Sequence, residues 1–397
     1  MTAVIRPLLA ALAAGLLAGG PAAAVPADAP PATSGTAVLV MDQRTGDVML
    51  GENVGSQRQI ASATKLMTAL LTLERADPGD VFPAAAYSAS PVESKINLVP
   101  GERMKVRDLL TALLLESAND AAVTLAEGIA GTREAFVREM NRRAVELGLR
   151  DTSYANPIGF DDPDNHSSAR DLARLARKLL ANPEFARIVD LPMATLQSGA
   201  RPRTIDNRNL LVQRYPFVSG VKTGHTQGAG YVLVGAGEAG GGRVITVTMG
   251  APSEPARDAD TLALLRWGLE QFQRERVVRA GKPLAELDVN YRDETAPVGA
   301  ARPVTLVLRD GEKATTALDA PEELDGPLPK GEQVGSVEVK RDGETVRTVP
   351  LVTLSEVEGA SFFRKVIRAL GILLIVAIVV VIFLLVFVAV RRKRGHR

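Results

Sequence analysis

The chain has no cysteine among its 397 residues, which excludes disulfides and thiolate-held metals and leaves packing alone to stabilise the fold. Histidine is nearly as scarce. His166, His225 and His396 are the only three, so a metal hydrolase built on clustered imidazoles is hard to assemble, and neither metal nor cofactor is expected. The formal net charge is +1, without the basic excess that marks a nucleic-acid partner. No internal repeat is evident, and low complexity is confined to the Ala- and Pro-rich stretch at 21–31. Also missing is a G-x-S-x-G elbow, which argues against a Ser-His-Asp triad through His225 or His166.

The two ends are where long apolar runs do occur. Residues 1–24 carry Arg6, an apolar core from Leu8 to Leu17 and small residues ending Ala22-Ala23-Ala24, the design of a secretory signal peptide. The apolar core is short for a span of ~20 residues, so removal near Val25 is favoured over a retained anchor. Residues 369–390 are apolar without interruption, long enough as a helix to cross ~30 Å of hydrocarbon. Arg391-Arg392-Lys393-Arg394 follows at once, and basic residues favour the cytoplasmic flank. The expected topology is a single-pass protein of the cell membrane, with a short tail (391–397) inside and the body outside. A juxtamembrane stalk at 357–368 brings Phe362, Phe363, Arg364 and Lys365 to the interface.

Between the ends lies room for about two domains. After a linker at 25–35, a first domain is expected at 36–282. Its β-branched runs at 37–41 and 48–50 read as a hairpin and those at 230–235 and 243–249 as strands, with helical periodicity at 64–74, 106–130, 134–147, 169–180 and 256–272. The 106–130 region breaks near Ser117-Ala118-Asn119. Strands at both ends of a helical centre imply an α+β fold, one antiparallel sheet covered by helices. A second, small β-rich domain is expected at 283–356, with strand-like runs at 304–308, 333–339 and 345–349 and a turn at Asp342-Gly343.

Three short motifs carry the chemistry. Ser62-Ala63-Thr64-Lys65 puts a hydroxyl at a helix N-terminus with an amine one turn later on the same face. A serine hydroxyl needs a base, and lysine serves only when neutral, which burial and a nearby cation such as Lys222 favour. Ser117-Ala118-Asn119 sits at a loop tip, where Ser117 is suited to relay a proton to a leaving amine and Asn119 to hold a substrate amide. Lys222-Thr223-Gly224 precedes a strand able to run beside an extended peptide: Lys222 supplies charge, Thr223 a hydroxyl for a carboxylate, and Gly224 close approach. Each motif alone also has a plain reading as a cap or a turn; their order and spacing make the set specific.

The set resembles the penicillin-recognising serine enzymes. Longer phrases are similar to the low-molecular-mass penicillin-binding proteins that are D-alanyl-D-alanine carboxypeptidases: Ile60 to Thr68, Ser117 to Ala122, Asn156-Pro157-Ile158-Gly159-Phe160, Ser167 to Leu172 and Lys222 to Thr226. The resemblance covers about 36–273. It implies removal of the terminal D-alanine from peptidoglycan stem pentapeptides through an acyl-serine at Ser62, with β-lactam antibiotics acylating the same serine. It implies an oxyanion hole from the backbone N–H groups of Ser62 and His225. Asp206-Asn207-Arg208-Asn209 resembles the segment whose arginine helps bind the substrate's terminal carboxylate, assigning that role to Arg208. Two rival readings remain. A β-lactamase would need a deacylating glutamate in an E-x-x-x-N setting, absent between Asn119 and Lys222. An inactive wall-sensing module would show broken motifs, and here all are intact.

Overall fold

The computed structural model describes residues 29–394; the signal peptide expected at 1–24 lies outside the described residues. The first domain is organised on one antiparallel sheet of five strands: β1 (Ala37–Asp42), β2 (Val48–Glu52), β3 (Val218–Thr226), β4 (Gly230–Ala239) and β5 (Gly242–Ala251). Their spatial order is β2-β1-β5-β4-β3. The first strand therefore pairs with the last, in the register Ala37↔Met249 to Asp42↔Val244. Every residue of β1 is buried, because the sheet is covered on both sides; its one polar residue, Asp42, is paired with Arg44.

Alternate residues of β1 enter different cores, as a period of two requires. Val38 and Val40 pack with Leu264, Leu265 and Leu269 of α8 (Glu254–Glu270). Ala37, Leu39 and Met41 join the larger core with Leu66, Leu70, Leu113 and Leu172. That core is built on α1 (Lys65–Arg75), α2 (Val106–Leu115), α3 (Asn119–Ala130), α4 (Arg133–Glu146) and α5 (Ala169–Leu180). The short helices α6 (Pro183–Val189) and α7 (Leu210–Arg214) lead back to the sheet. α5 starts where Ser168 caps Asp171 N and α6 where Asn182 caps Glu184 N and Phe185 N, each side-chain oxygen satisfying N–H groups the helix leaves open. The strand around Lys222-Thr223-Gly224 begins at Val218, so the motif lies inside β3 and not ahead of a strand. Its two glycines, Gly220 and Gly224, dilute the β-branched pattern that marks strands in sequence.

The β-rich domain starts earlier than the expected 283. Phe272–Val278 (β6) pairs with Val304–Arg309 (β9). The remaining strands are β7 (Ala285–Val289), β8 (Thr295–Ala300), β10 (Ala314–Asp319), β11 (Glu323–Leu324), β12 (Gln333–Arg341) and β13 (Glu344–Thr353). They form a six-stranded sheet in the order β10-β12-β13-β8-β7-β11, with a core of its own around Val298, Val337, Val339 and Leu351. Charged side chains link the two domains. Arg44 bonds both Asp42 and Glu312, and Arg309 reaches Asp47 at 3.0 Å and Asp42 at 3.7 Å.

After the β-rich domain, α9 runs Phe362–Arg394. Its side chains at 370–385 are exposed, and among the described residues no helix is long and apolar enough to cross a membrane. The span expected at 369–390 extends beyond those described side chains.

Candidate active site

Ser62 lies in a tight 3-10 turn, Ala61–Thr64, that runs directly into α1. The residue before it, Ala61, has φ of 47°, a left-handed conformation that a side chain adopts only when its surroundings impose it. Two glycines make room for it. Gly159, with φ of +96°, lies so close that a Cβ on it would sit 2.0 Å from Ala61 O, and one on Gly224 would sit 3.0 Å from Ser62 N. The nucleophile's turn is thus clasped at backbone distance between the 156–160 loop and β3.

One turn along, Lys65 is fully buried. Its Nζ is 3.0 Å from Ser62 Oγ, 2.7 Å from Asn119 Oδ1 and 2.6 Å from the Ile158 carbonyl. Burial, then the neighbouring Lys222, holds Lys65 well below the ordinary lysine value, against Glu93 and Asp120, which act upwards. A neutral amine has two N–H groups and one lone pair. The two carbonyl-type oxygens of Asn119 and Ile158 take the N–H groups, which leaves the lone pair for the Ser62 hydroxyl proton. An ammonium would instead donate to all three oxygens.

The break between α2 and α3 places the second motif. Ser117 has φ of 62°, and its buried Oγ has no hydrogen-bond partner among the described residues. Asn119 opens α3, with its amide between Lys65 and Glu93. Lys222 is 1% exposed and donates to Thr223 O at 2.8 Å. Burial, followed by Arg257 and Arg208, pushes Lys222 down to about 7, with Glu116 opposing. Its charge is therefore only partial at neutral pH, so its influence on Lys65 weakens as pH rises. Thr223 is buried, and β3 is an edge strand whose only neighbour in the sheet is β4.

The predicted residues do not all meet in one network. Ser62, Lys65 and Asn119 are bonded together, and Gly224 abuts Ser62. His225 stands exposed, its ring stacked on Tyr231 at 4.0 Å. Arg208 is paired with Glu116. His166 contacts Pro163 O instead of the serine. Among the described residues no cluster of three or more His, Cys, Asp or Glu is arranged to hold a metal.

Three contributors were not legible as functional residues in the sequence. The Ile158 carbonyl is one; a backbone acceptor has no side-chain signature. The others are Glu93, which accepts from Asn119 Nδ2, and Tyr87, which donates to Glu93, both on a loop ahead of Ser117. A carboxylate thus stands beside Asn119 from outside the interval where an E-x-x-x-N glutamate would fall.

Known proteins share this arrangement of sequence. The D-alanyl-D-alanine carboxypeptidase family profile matches residues 24–253, and the penicillin-binding protein 5 C-terminal domain matches 272–359. The carboxypeptidase DacD of Escherichia coli strain K12 is 36% identical over 354 residues, covering 85% of this chain and 90% of its own. DacF of Bacillus subtilis strain 168 is 31% identical over 350 residues, covering 85% and 89%. Among solved structures, penicillin binding protein 6B from Escherichia coli superposes with a TM-score of 0.60 at 32% identity, covering 82% of this chain and 97% of that one. With the Ser62, Lys65 and Asn119 constellation in place on this fold, the chain belongs to the D-alanyl-D-alanine carboxypeptidase family.

Proposed function

We infer that the protein is a serine D-alanyl-D-alanine carboxypeptidase that removes the terminal D-alanine of peptidoglycan stem pentapeptides and is acylated by penicillin. The observation that carries this reading is the seating of Lys65 Nζ between two carbonyl oxygens with Ser62 Oγ on its remaining side. In the first step Ser62 Oγ bonds to the carbonyl carbon of the penultimate D-alanine as its proton passes to Lys65 Nζ. The backbone N–H groups of Ser62 and His225 receive the charge on the carbonyl oxygen. The C–N bond then breaks, and the proton returns to the leaving amine through Ser117. Water hydrolyses the ester, restoring Ser62.

In the same reading Asn119 offers an amide to the substrate backbone, β3 pairs with the extended peptide, and Lys222, Thr223 and Arg208 receive the terminal carboxylate, Gly224 leaving room for it. The intact serine, lysine and asparagine favour an enzyme over a wall-sensing module. Both oxygens of Glu93 are already engaged, which disfavours efficient β-lactam hydrolysis through it.

We also infer that α9 anchors the enzyme to the cell membrane, with the catalytic domain on the extracytoplasmic side after export by the leader at 1–24. A run of 22 apolar residues, 369–390, has no polar face to turn to water, and the Arg391-Arg392-Lys393-Arg394 stop supports a cytoplasmic tail.

The test is D-alanine release from a synthetic stem pentapeptide by the full chain and its Ser62→Ala variant. Release by the wild type alone establishes the reading. Release, or penicillin labelling, by a folded Ser62→Ala protein would end it.

A further inference from the structure

Asn119 can help the reaction only in one of its two amide orientations. Its oxygen must face Lys65, because an NH2 there would oppose the lysine's own N–H groups and engage the lone pair that Ser62 needs. Something outside the three motifs selects that orientation. The Asn119 Nδ2 donates to Glu93 Oε2 at 2.8 Å, and an ionised carboxylate can only accept. A flipped amide would put oxygen against oxygen at Glu93 and donor against donor at Lys65.

Glu93 is itself held from several sides. Tyr87 Oη donates to the same Oε2, and Ser90 N donates to Oε1 at 2.7 Å. The Ser94 carbonyl accepts from Asn119 N at 2.8 Å, and on the far side Asp120 accepts from Ile96 N and Leu98 N. Tyr87 is backed by the Arg133 guanidinium, 5.6 Å from its ring. The loop at 87–98 is thus fastened across the start of α3 by bonds that end at the active-site amide.

We propose that Glu93, braced by Tyr87, is a positioning residue of the acyl-transfer site, fixing the Asn119 amide with its oxygen toward Lys65. The proposal rests on the serine acyl-transfer reading above and adds to it a residue that touches neither Ser62 nor the motif lysines.

A second effect distinguishes positioning from mere loop stability. The charged groups acting on Lys65 are Lys222, which lowers its proton affinity, and Glu93 and Asp120, which raise it. Several groups act on Glu93 in turn: burial drives its carboxyl up, while the bonds from Tyr87, Asn119 and Ser90 N and the charge of Lys95 together bring it below the ordinary value. Removing the Glu93 charge therefore makes Lys65 lose its proton at lower pH, and the acidic limb of kcat/KM moves down with it.

The experiment compares wild type, Glu93→Gln and Glu93→Ala as full chains, following both D-alanine release and penicillin acylation from pH 5 to 9 (~ range set by the lysine's neutral form), with thermal melts alongside. Glu93→Gln keeps an oxygen for Asn119 but loses the charge; its acidic limb shifts to lower pH, with a smaller loss of limiting rate than in Glu93→Ala. Glu93→Ala loses on the order of 10²-fold in acylation while still melting cooperatively. An unmoved limb in Glu93→Gln, or a Glu93→Ala protein within about twofold of wild type, overturns the proposal. Should Glu93→Ala fail to fold, the limb in Glu93→Gln decides alone. Wild type that is acylated by penicillin but releases no D-alanine would count against the carboxypeptidase reading only, because acylation still reports on Glu93.

Discussion

A methyl group on Gly224 would lie 3.0 Å from the backbone nitrogen of Ser62 and 3.2 Å from the Ile60 carbonyl. The strand bearing the third motif and the turn bearing Ser62 therefore meet at backbone distance. Gly224→Ala pushes β3 away from the turn by a few tenths of an ångström and so displaces the backbone N–H groups of Ser62 and His225, the two proposed to receive the oxyanion. Acylation by labelled penicillin is expected to fall on the order of 10²-fold, with a drop of only a few degrees (~4 °C) in melting temperature. An acylation rate equal to wild type would show that this contact is not used.

Lys222 gives the stability a pH slope of known sign. Its folded-state value is about 7, against 10.5 for an ordinary lysine. Between those values the unfolded chain binds a proton that the folded chain lacks, so unfolding becomes harder as pH rises from about 7 toward 10.5. In Lys222→Met this contribution disappears. The difference in urea midpoint between pH 7 and pH 9 (~ endpoints inside that window) is expected to be smaller in the variant. Equal differences in the two proteins would mean that Lys222 keeps its proton on folding.

Arg44 joins two carboxylates from different domains, Asp42 at 0% and Glu312 at 7% side-chain exposure. Arg44→Ala leaves both short of a counter-charge, although Arg309 still approaches Asp42 and Arg341 still approaches Glu312. The expected loss is on the order of 2 kcal/mol, less than for a wholly buried pair because the arginine is partly in water. Calorimetry of the full chain measures it, and D-alanine release per folded molecule should not change. A variant as stable as wild type would show the link to be superficial.

Much of this architecture is written locally. The α5 sequence alternates Leu172, Leu175, Ala176 and Leu179 inward with arginines outward, and its expected bounds agree with the helix observed. The break at Ser117 was legible because Glu116, Ser117 and Asn119 interrupt a nearly continuous apolar run. The β3 strand was harder, since glycines that permit its contact with Ser62 also erase its alternation. Glu93 was illegible for another reason: its loop has no periodicity, and its meaning arises only from Asn119 folding against it. Within the site, residues carried by the three motifs were readable, Asn119 included although it meets Lys65 across the fold, and those outside the motifs were not.

The pairing of Ala37 with Met249 has a bearing on how the enzyme is made. A chain made from its N-terminus yields Ser62 and Lys65 long before Lys222 and β5 emerge. Until then β1 has no inner neighbour, and the turn at Ala61 lacks the strand that clasps it. The pocket around Ser62 therefore stays unassembled during most of synthesis, and it forms as a late event, once the final strand of the sheet slots between β1 and β4.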